Sequence, residues 1–547
     1  MEYREITTVG DLLVRGAVEH PERQAIVMPE GRPTYAELLD RATGLARSLV
    51  ALGIERGDRL GILMPNCLAF LEVELAASLI GAVTVPINSR FRSTELRHVI
   101  PNAGVRLVFV SDLVDNAVSY IDRMAESFPA IAEQASGARI DDRLHLEVAP
   151  ELEHVVVMGR RQAPGFTTQE AFERAGEQVD TAEVHRRRDG VALRDQAVIF
   201  YTSGTTSLPK GCALSHEAMV RQGIITADRL GMRDADVVFS PLPMFHTGCT
   251  QVLLAVLHRM GTYVSMTHFD AEAALAMIEA EQATILFPAF SAITDGLMNA
   301  PGYTPDSFRR ARVLFHIATP DQLRLLQDRL PHTSVVTGFG MTEFAGSLAI
   351  GDPAEELERR VLPGRPLAGA ELQIRDPEDG RVLPPGTEGE IVARGPTMFS
   401  GYHGDPDRTA EVTTPDGWYR TGDLGTLNEH GELRFNGRLK DMLKIGGENV
   451  GAVEIESYLE AHPAVALAQV VGLPDERLGE VAVAFVQLKD GAEATEEDIQ
   501  AHCRGEIASF KVPRHVRFVT EWPMSATKVK KGELRERVYA EFGIEVA

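Results

Sequence analysis

Residues 196–211 read QAVIFYTSGTTSLPKG. An apolar run ending at Tyr201 empties directly into Thr202, Ser203, Gly204, Thr205, Thr206 and Ser207, followed by Leu208, Pro209, Lys210 and Gly211. The run predicts a strand, and the small polar residues predict a loop at its carboxyl end. Such a loop suits a polyphosphate: glycine lets backbone N–H groups approach the oxygens, hydroxyls add donors, and one lysine supplies a compact positive charge. From composition alone the same loop is more often an ordinary turn. It does not fit GxxxxGK[ST], which sets aside the P-loop NTPases.

Outward from this stretch the same grammar repeats. Thr34-Tyr35-Ala36-Glu37 reads as a capping box, with apolar residues recurring at helical spacing behind it. An apolar run DRLGILMPN, a helical stretch from Ala69 to Ile80 and a second run AVTVPIN then give strand, helix, strand, which implies a parallel layer. At residues 332–343, HTSVVTGFGMTE again predicts a strand running into a polar loop. Ligands of open α/β sheets bind beyond the carboxyl ends of the strands, where both loops fall. Past Gly437 the character changes. A helix over Val453 to Ala461 is stopped by Pro463, the alternating runs AVALAQVVG and EVAVAFVQL predict paired strands, and a capped helix is expected near Thr495. The fold class is therefore α/β: a large multi-subdomain N-terminal α/β domain over residues 1–437, with sheets flanked by helices, and a small α+β domain over residues 438–547.

Length supports that division, because 547 residues exceed what one hydrophobic core ordinarily holds. With 79 acidic against 55 basic residues the formal net charge is −24, which opposes any general attraction to nucleic acid or anionic membrane, so an anionic substrate needs a local basic pocket. Cys67, Cys212, Cys249 and Cys503 are widely spaced and read as reduced core thiols. No stretch is long and apolar enough to span a bilayer and the amino terminus does not read as a signal peptide, so a cytoplasmic location is expected.

The order of residues in YTSGTTSLPKG closely resembles the signature loop of the adenylate-forming superfamily, and the resemblance extends over nearly the whole chain. Gly338-Phe339-Gly340-Met341-Thr342-Glu343 is similar to that family's second nucleotide motif. The resemblance implies the aromatic beside adenine, Thr342 on phosphate and Glu343 on Mg²⁺. A carboxylate beside a phosphate loop is a plausible Mg²⁺ ligand on its chemistry, since Mg²⁺ takes few carboxylates plus phosphate oxygens. Ala318, Thr319 and Pro320 align with a segment beside the adenine. Trp418-Tyr419-Arg420-Thr421-Gly422-Asp423 resembles the segment whose aspartate accepts both ribose hydroxyls, and Phe435 and Arg438 belong with the nucleotide by the same resemblance. Gly437-Arg438-Leu439-Lys440-Asp441 is similar to the family hinge, with Lys440 as pivot. Lys444-Ile445-Gly446-Gly447-Glu448-Asn449-Val450 resembles the loop used in thiol transfer, with Lys444, Gly446 and Gly447 as cofactor contacts. Pro523-Met524-Ser525-Ala526-Thr527-Lys528 resembles the motif carrying the catalytic lysine.

The resemblance implies an acyl-CoA synthetase: a carboxylic acid and ATP give acyl-AMP and pyrophosphate, then coenzyme A displaces AMP. Its departures matter. Ser207 stands where the family usually has glycine, and Thr527 precedes Lys528 where glycine is common, with Lys530 and Lys531 close behind. His316-Ile317-Ala318-Thr319-Pro320 stands where Ser-Gly-Gly-Ala-Pro is usual, so Ile317 and Ala318 put bulk beside the acyl pocket and point to a compact aryl or short to medium acid. His246 sits where acyl-CoA ligases place a residue gating that pocket, and Phe290 is equally a pocket wall or plain core. None of Met244 to Thr250 is acidic, which argues against an α-amino acid. The alternatives are an adenylation enzyme loading a carrier protein in trans and a non-catalytic nucleotide-binding homologue. A homodimer is a further expected arrangement.

Overall fold

A computed structural model describes residues 7–134, 143–202, 208–445, 448–475, 477–504, 506–524 and 529–544. The expected site residues Ser203, Gly204, Thr205, Thr206, Gly446, Gly447 and Lys528 lie outside the described residues, as do Ser207 and Thr527. Packing divides the chain into two units. Among the described residues, the first draws on 7–202, 208–370 and 394–411, and the second on 371–393 and 412–544.

The first unit holds two large sheets. In one, the order is Gly401–Tyr402, Lys210–Ser215, Gln196–Thr202, Val83–Pro86, Arg59–Leu63, Val105–Ser111, His154–Met158 and Thr167–Thr168. Pairing is parallel from Gln196–Thr202 onward to Thr167–Thr168. It is antiparallel at the Lys210–Ser215 and Gly401–Tyr402 end. The other sheet is parallel throughout, in the order Ile26–Val27, Thr262–Val264, Val237–Phe239, Ile285–Ala289, Val313–His316 and Ser334–Val336.

Local signals account for several of the flanking helices. Thr34 Oγ1 accepts the Glu37 N–H at 3.2 Å and Glu37 Oε2 accepts the Thr34 N–H at 2.9 Å, and the helix Tyr35–Ala51 starts there. The helix Leu68–Ile80 is buried nearly all round, as an unbroken apolar stretch requires, and ends at Gly81 with φ 74°. Among the described residues no helix is long and apolar enough to cross a membrane.

The second unit carries a sheet in the order Glu371–Arg375, Gly389–Arg394, Tyr419–Leu427 and Leu433–Arg438, antiparallel across its last three strands, and a five-stranded sheet nearer the carboxyl terminus. In the latter, the alternating runs become Val465–Asp475 and Gly479–Leu488, paired antiparallel. The helix Ala452–Glu460 packs on them, and Thr495 caps Glu496–Cys503. All four cysteines are free and buried, and burial pushes the Cys67 and Cys249 thiols up to about 12.

Candidate active site

Four neighbouring strands of the all-parallel sheet release their chains at the same edge: Val237–Phe239, Ile285–Ala289, Val313–His316 and Ser334–Val336. The residues that follow them are the segments leading to His246, Phe290, Ile317 to Pro320, and Gly338. The residues expected from the sequence to serve an acyl pocket and an adenine motif thus follow strands that end at one sheet edge, and open α/β sheets bind ligands at such edges. Asn66 shapes the first segment, donating to Leu242 O and accepting from the Met244 N–H, both at 2.9 Å. His246 then starts the helix Thr247–His258, with its ring 4.5 Å from that of Phe245.

At the third strand His316 is buried, its Nδ1 2.9 Å from Thr294 Oγ1. Burial lowers its pKa to about 4, so the imidazole is neutral at pH 7. The Ile317 N–H donates to Ala289 O at 2.8 Å while its side chain stays 47% exposed, leaving an apolar group open at the sheet edge. Thr319 heads the helix Pro320–Arg329, whose first residue is a proline with no N–H to satisfy.

The residues after Ser334–Val336 do not form the polar loop expected from TGFGMTE. Gly338–Met341 is a short strand in an antiparallel hairpin with Gly346–Ile350, joined by the turn Thr342–Phe344 and by Ala345 at φ 56°. Close approach explains the glycines: a Cβ at Gly340 would lie 2.2 Å from Gly346 O, and one at Gly346 would lie 2.2 Å from Gln251 Oε1. Two buried glutamines, absent from the sequence reading, clamp the hairpin. Gln251 Oε1 accepts the Ser347 N–H at 2.9 Å, and Gln222 Nε2 donates to Ser347 O at 2.9 Å.

This hairpin turn carries Thr342 and Glu343 to the flanks of the phosphate-loop candidate. Glu343 Oε1 accepts from the Tyr402 hydroxyl at 2.8 Å, and Lys210 Nζ lies over the Tyr402 ring, 5.5 Å from its centroid. Burial lowers the pKa of Lys210, as does Arg408, while Glu343 acts in the opposite sense. Cys212, one strand position beyond Gly211, is fully buried beside Glu343 and Thr202. A hydroxyl residue, a lysine and a carboxylate far apart in sequence are therefore neighbours. Tyr402 escaped the sequence reading because nothing local to residues 401–402 marks it. Among the described residues no three Cys, His or acidic side chains gather as a metal cage. One carboxylate fits Mg²⁺ all the same, because that ion takes most of its ligands from phosphate and water.

In the second unit Asp423 and Arg438 face each other in register on adjacent strands, with Nε 3.3 Å from Oδ1. Asp423 is 7% exposed, and its N–H donates to Thr421 Oγ1 at 3.0 Å. Phe435 on the same strand as Arg438 is 38% exposed. Lys440 lies in the turn Leu439–Asp441, where burial first and the Arg438 charge second lower its pKa. Lys444 is exposed on Met442–Ile445, its N–H donating to Glu480 Oε2 at 2.7 Å.

A lysine, a tyrosine hydroxyl and a carboxylate gathered at strand ends of the first unit have the chemistry that suits a phosphate-bearing ligand. The sequence model described as AMP-binding enzyme matches residues 13–403, and that of the AMP-binding enzyme C-terminal domain matches residues 454–529. A putative acyl-CoA synthetase, YngI of Bacillus subtilis, is 31% identical, covering 98% of both chains. The mitochondrial medium-chain acyl-CoA ligase ACSF2 of Rattus norvegicus is 31% identical over 97% of this chain and 87% of its own. The crystal structure of ATP-bound MatB from Rhodopseudomonas palustris superimposes with a TM-score of 0.83 at 28% identity, covering 97% of this chain and 99% of that one. The chain belongs to the AMP-binding, adenylate-forming superfamily, in its acyl-CoA synthetase branch, and is an AMP-forming acid–thiol ligase.

Proposed function

We propose that this ligase joins a compact aryl or short to medium non-amino carboxylic acid to coenzyme A through an acyl-adenylate. The observation that carries the reading is the meeting of Glu343, Tyr402 and Lys210 beside Thr202, because it supplies matched charges and donors for a triphosphate. In the first step a carboxylate oxygen attacks the α-phosphorus in line and pyrophosphate leaves, forming the acyl–phosphate bond. Catalysis of such transfers rests on positioning and charge stabilisation. Lys210 and Thr202, with Thr205, Thr206 and Thr342, hold the phosphates in this reading. Mg²⁺ held by Glu343 supplies neutralisation of the phosphate charge when bound.

Lys528 bridges the acid's carboxylate and the α-phosphate, two anions that otherwise repel. At about 4 Å and an effective dielectric of about 20, one such attraction is worth ~4 kcal/mol before desolvation. Support comes from its neighbours: Lys530 is paired with Glu533 and Lys531 with buried Glu456, so both are already engaged. Asp423 and Arg438 hold the ribose, while Phe339, Phe435 and the Ala318 to Pro320 segment sit with the nucleotide. For the second step residues 438–547 turn about Lys440, withdrawing Lys528 and bringing in Lys444, Gly446 and Gly447 for the pantetheine arm. The thiol then attacks the acyl carbon, AMP leaves and the thioester remains.

The choice of acid is supported by the exposed apolar side chain of Ile317 at the sheet edge, with His246 gating the same pocket. A cytoplasmic setting accords with four unpaired buried cysteines. The test is a panel of acids assayed by acyl-CoA formation. Benzoates and acids of short to medium chain should lead it, and palmitate outcompeting them would sink this choice of substrate.

A further inference from the structure

We propose that Tyr402 is a positioning residue which holds the Glu343 carboxylate and the Lys210 ammonium apart and aimed at the same ligand. The inference rests on the reading that those two groups serve ATP phosphate and Mg²⁺.

Tyr402 is fixed from several sides. Its two-residue strand Gly401–Tyr402 pairs with Lys210–Ser215, with Tyr402 opposite Cys212 and Gly401 opposite Ala213. On either side the Ser400 N–H donates to Ala213 O at 2.8 Å and the His403 N–H to Gly211 O at 2.7 Å. The Tyr402 N–H donates to Thr409 Oγ1 at 2.9 Å. The neighbouring Phe399 donates its N–H to Glu343 O at 2.7 Å, and its ring meets that of Tyr402 edge-on at 5.0 Å. Tyr402 is 8% exposed, so its orientation is set by packing rather than by solvent.

From this anchored ring the two ends reach different charges. The hydroxyl donates to Glu343 Oε1 at 2.8 Å, which stops rotation of the carboxylate about its last bond. The ring face lies 5.5 Å from Lys210 Nζ, a cation–π distance. Glu343 and Lys210 are near enough to feel each other electrostatically. Left to themselves, such opposite charges pair, and a lysine paired with a carboxylate has less charge to offer a phosphate. In this inference the phenol, engaging the carboxylate through its hydroxyl and the ammonium through its ring, keeps the two charges from neutralising each other.

The test measures binding of ATP and of AMP by calorimetry across a Mg²⁺ series for wild type, Tyr402→Phe, Glu343→Gln and the double variant. Tyr402→Phe should bind AMP like wild type, yet need about tenfold more Mg²⁺ for tight ATP binding, as expected for loss of a hydrogen bond to a charged group. Acting through Glu343, it should add nothing in the Glu343→Gln background. The inference is overturned if Tyr402→Phe keeps the wild-type Mg²⁺ dependence, if AMP and ATP affinities fall together, or if the two changes are additive. If Glu343→Gln itself leaves the Mg²⁺ dependence untouched, the role assigned to Glu343 fails and the inference with it. If Glu343→Gln shifts it and Tyr402→Phe does not, only the inference fails.

Discussion

Replacing Gln251 by leucine removes the acceptor that holds the turn-bearing hairpin and little else. The side chain is 4% exposed, and its Oε1 accepts the Ser347 N–H at 2.9 Å and Gln222 Nε2 at 3.2 Å. Gln222 keeps Ser347 O and Thr226 Oγ1 as partners at 2.9 and 3.2 Å, so the loss concentrates on one buried backbone N–H. Leaving such a donor unsatisfied costs about 1–3 kcal/mol. No slack exists for a substitute contact, since Gly346 approaches so closely that even a Cβ there would lie 2.2 Å from Oε1. Because Thr342 and Glu343 ride on this hairpin, the lost order should reach catalysis as well as stability. Gln251→Leu should lower the denaturation midpoint by an amount equivalent to about 1–3 kcal/mol. It should also slow acid-dependent pyrophosphate release about tenfold, the factor that ~1.4 kcal/mol of lost positioning represents. A variant with wild-type midpoint and wild-type pyrophosphate release would refute the clamp.

Other expectations follow from the same geometry. Gly340→Ala places a Cβ 2.2 Å from Gly346 O and should open the hairpin, seen as loss of ATP binding while the second unit keeps its proteolytic resistance. Asp423→Asn keeps the shape but not the charge that faces Arg438, and should raise KM for ATP about tenfold with a smaller change in kcat. Burial depresses His216 and His316 from 6.5 to about 4, so the unfolded chain takes up their protons first as pH falls. Their contribution is complete above about pH 6.5 and lost towards pH 4, up to about 3 kcal/mol each. Denaturation midpoints at pH 7 and pH 5 should therefore fall less for His316→Gln than for wild type.

Signals carried within one turn or one strand were readable in the sequence. Thr34 with Glu37, the cap near Thr495, and the alternating run that becomes Val465–Asp475 each contain their own instruction, and each forms as expected. The motif at Gly338–Met341 reads in the sequence as a loop segment, and its strand was not legible there. Glycine contributes no strand preference of its own, and the pairing depends on how closely Gly346 can approach. Tyr402, Gln222 and Gln251 were not legible at all. Tyr402 lies 59 residues from Glu343, and Gln251 lies 96 residues from Ser347, so only the folded chain reveals what they hold. The association of residues 371–393 with the unit containing the carboxyl-terminal sheet is likewise a matter of packing rather than of any local pattern.

The most direct test of the central claim is to mix purified protein with ATP, Mg²⁺ and a panel of carboxylic acids, with and without coenzyme A, and to follow pyrophosphate, AMP and acyl-CoA together. Wild type should release pyrophosphate only when an accepted acid is present, hold acyl-AMP when coenzyme A is withheld, and convert it to acyl-CoA and AMP when coenzyme A is added. Lys528→Ala should nearly abolish the first step. Absence of acid-dependent pyrophosphate release across the panel, or acyl-CoA formation with ADP in place of AMP, would contradict the account.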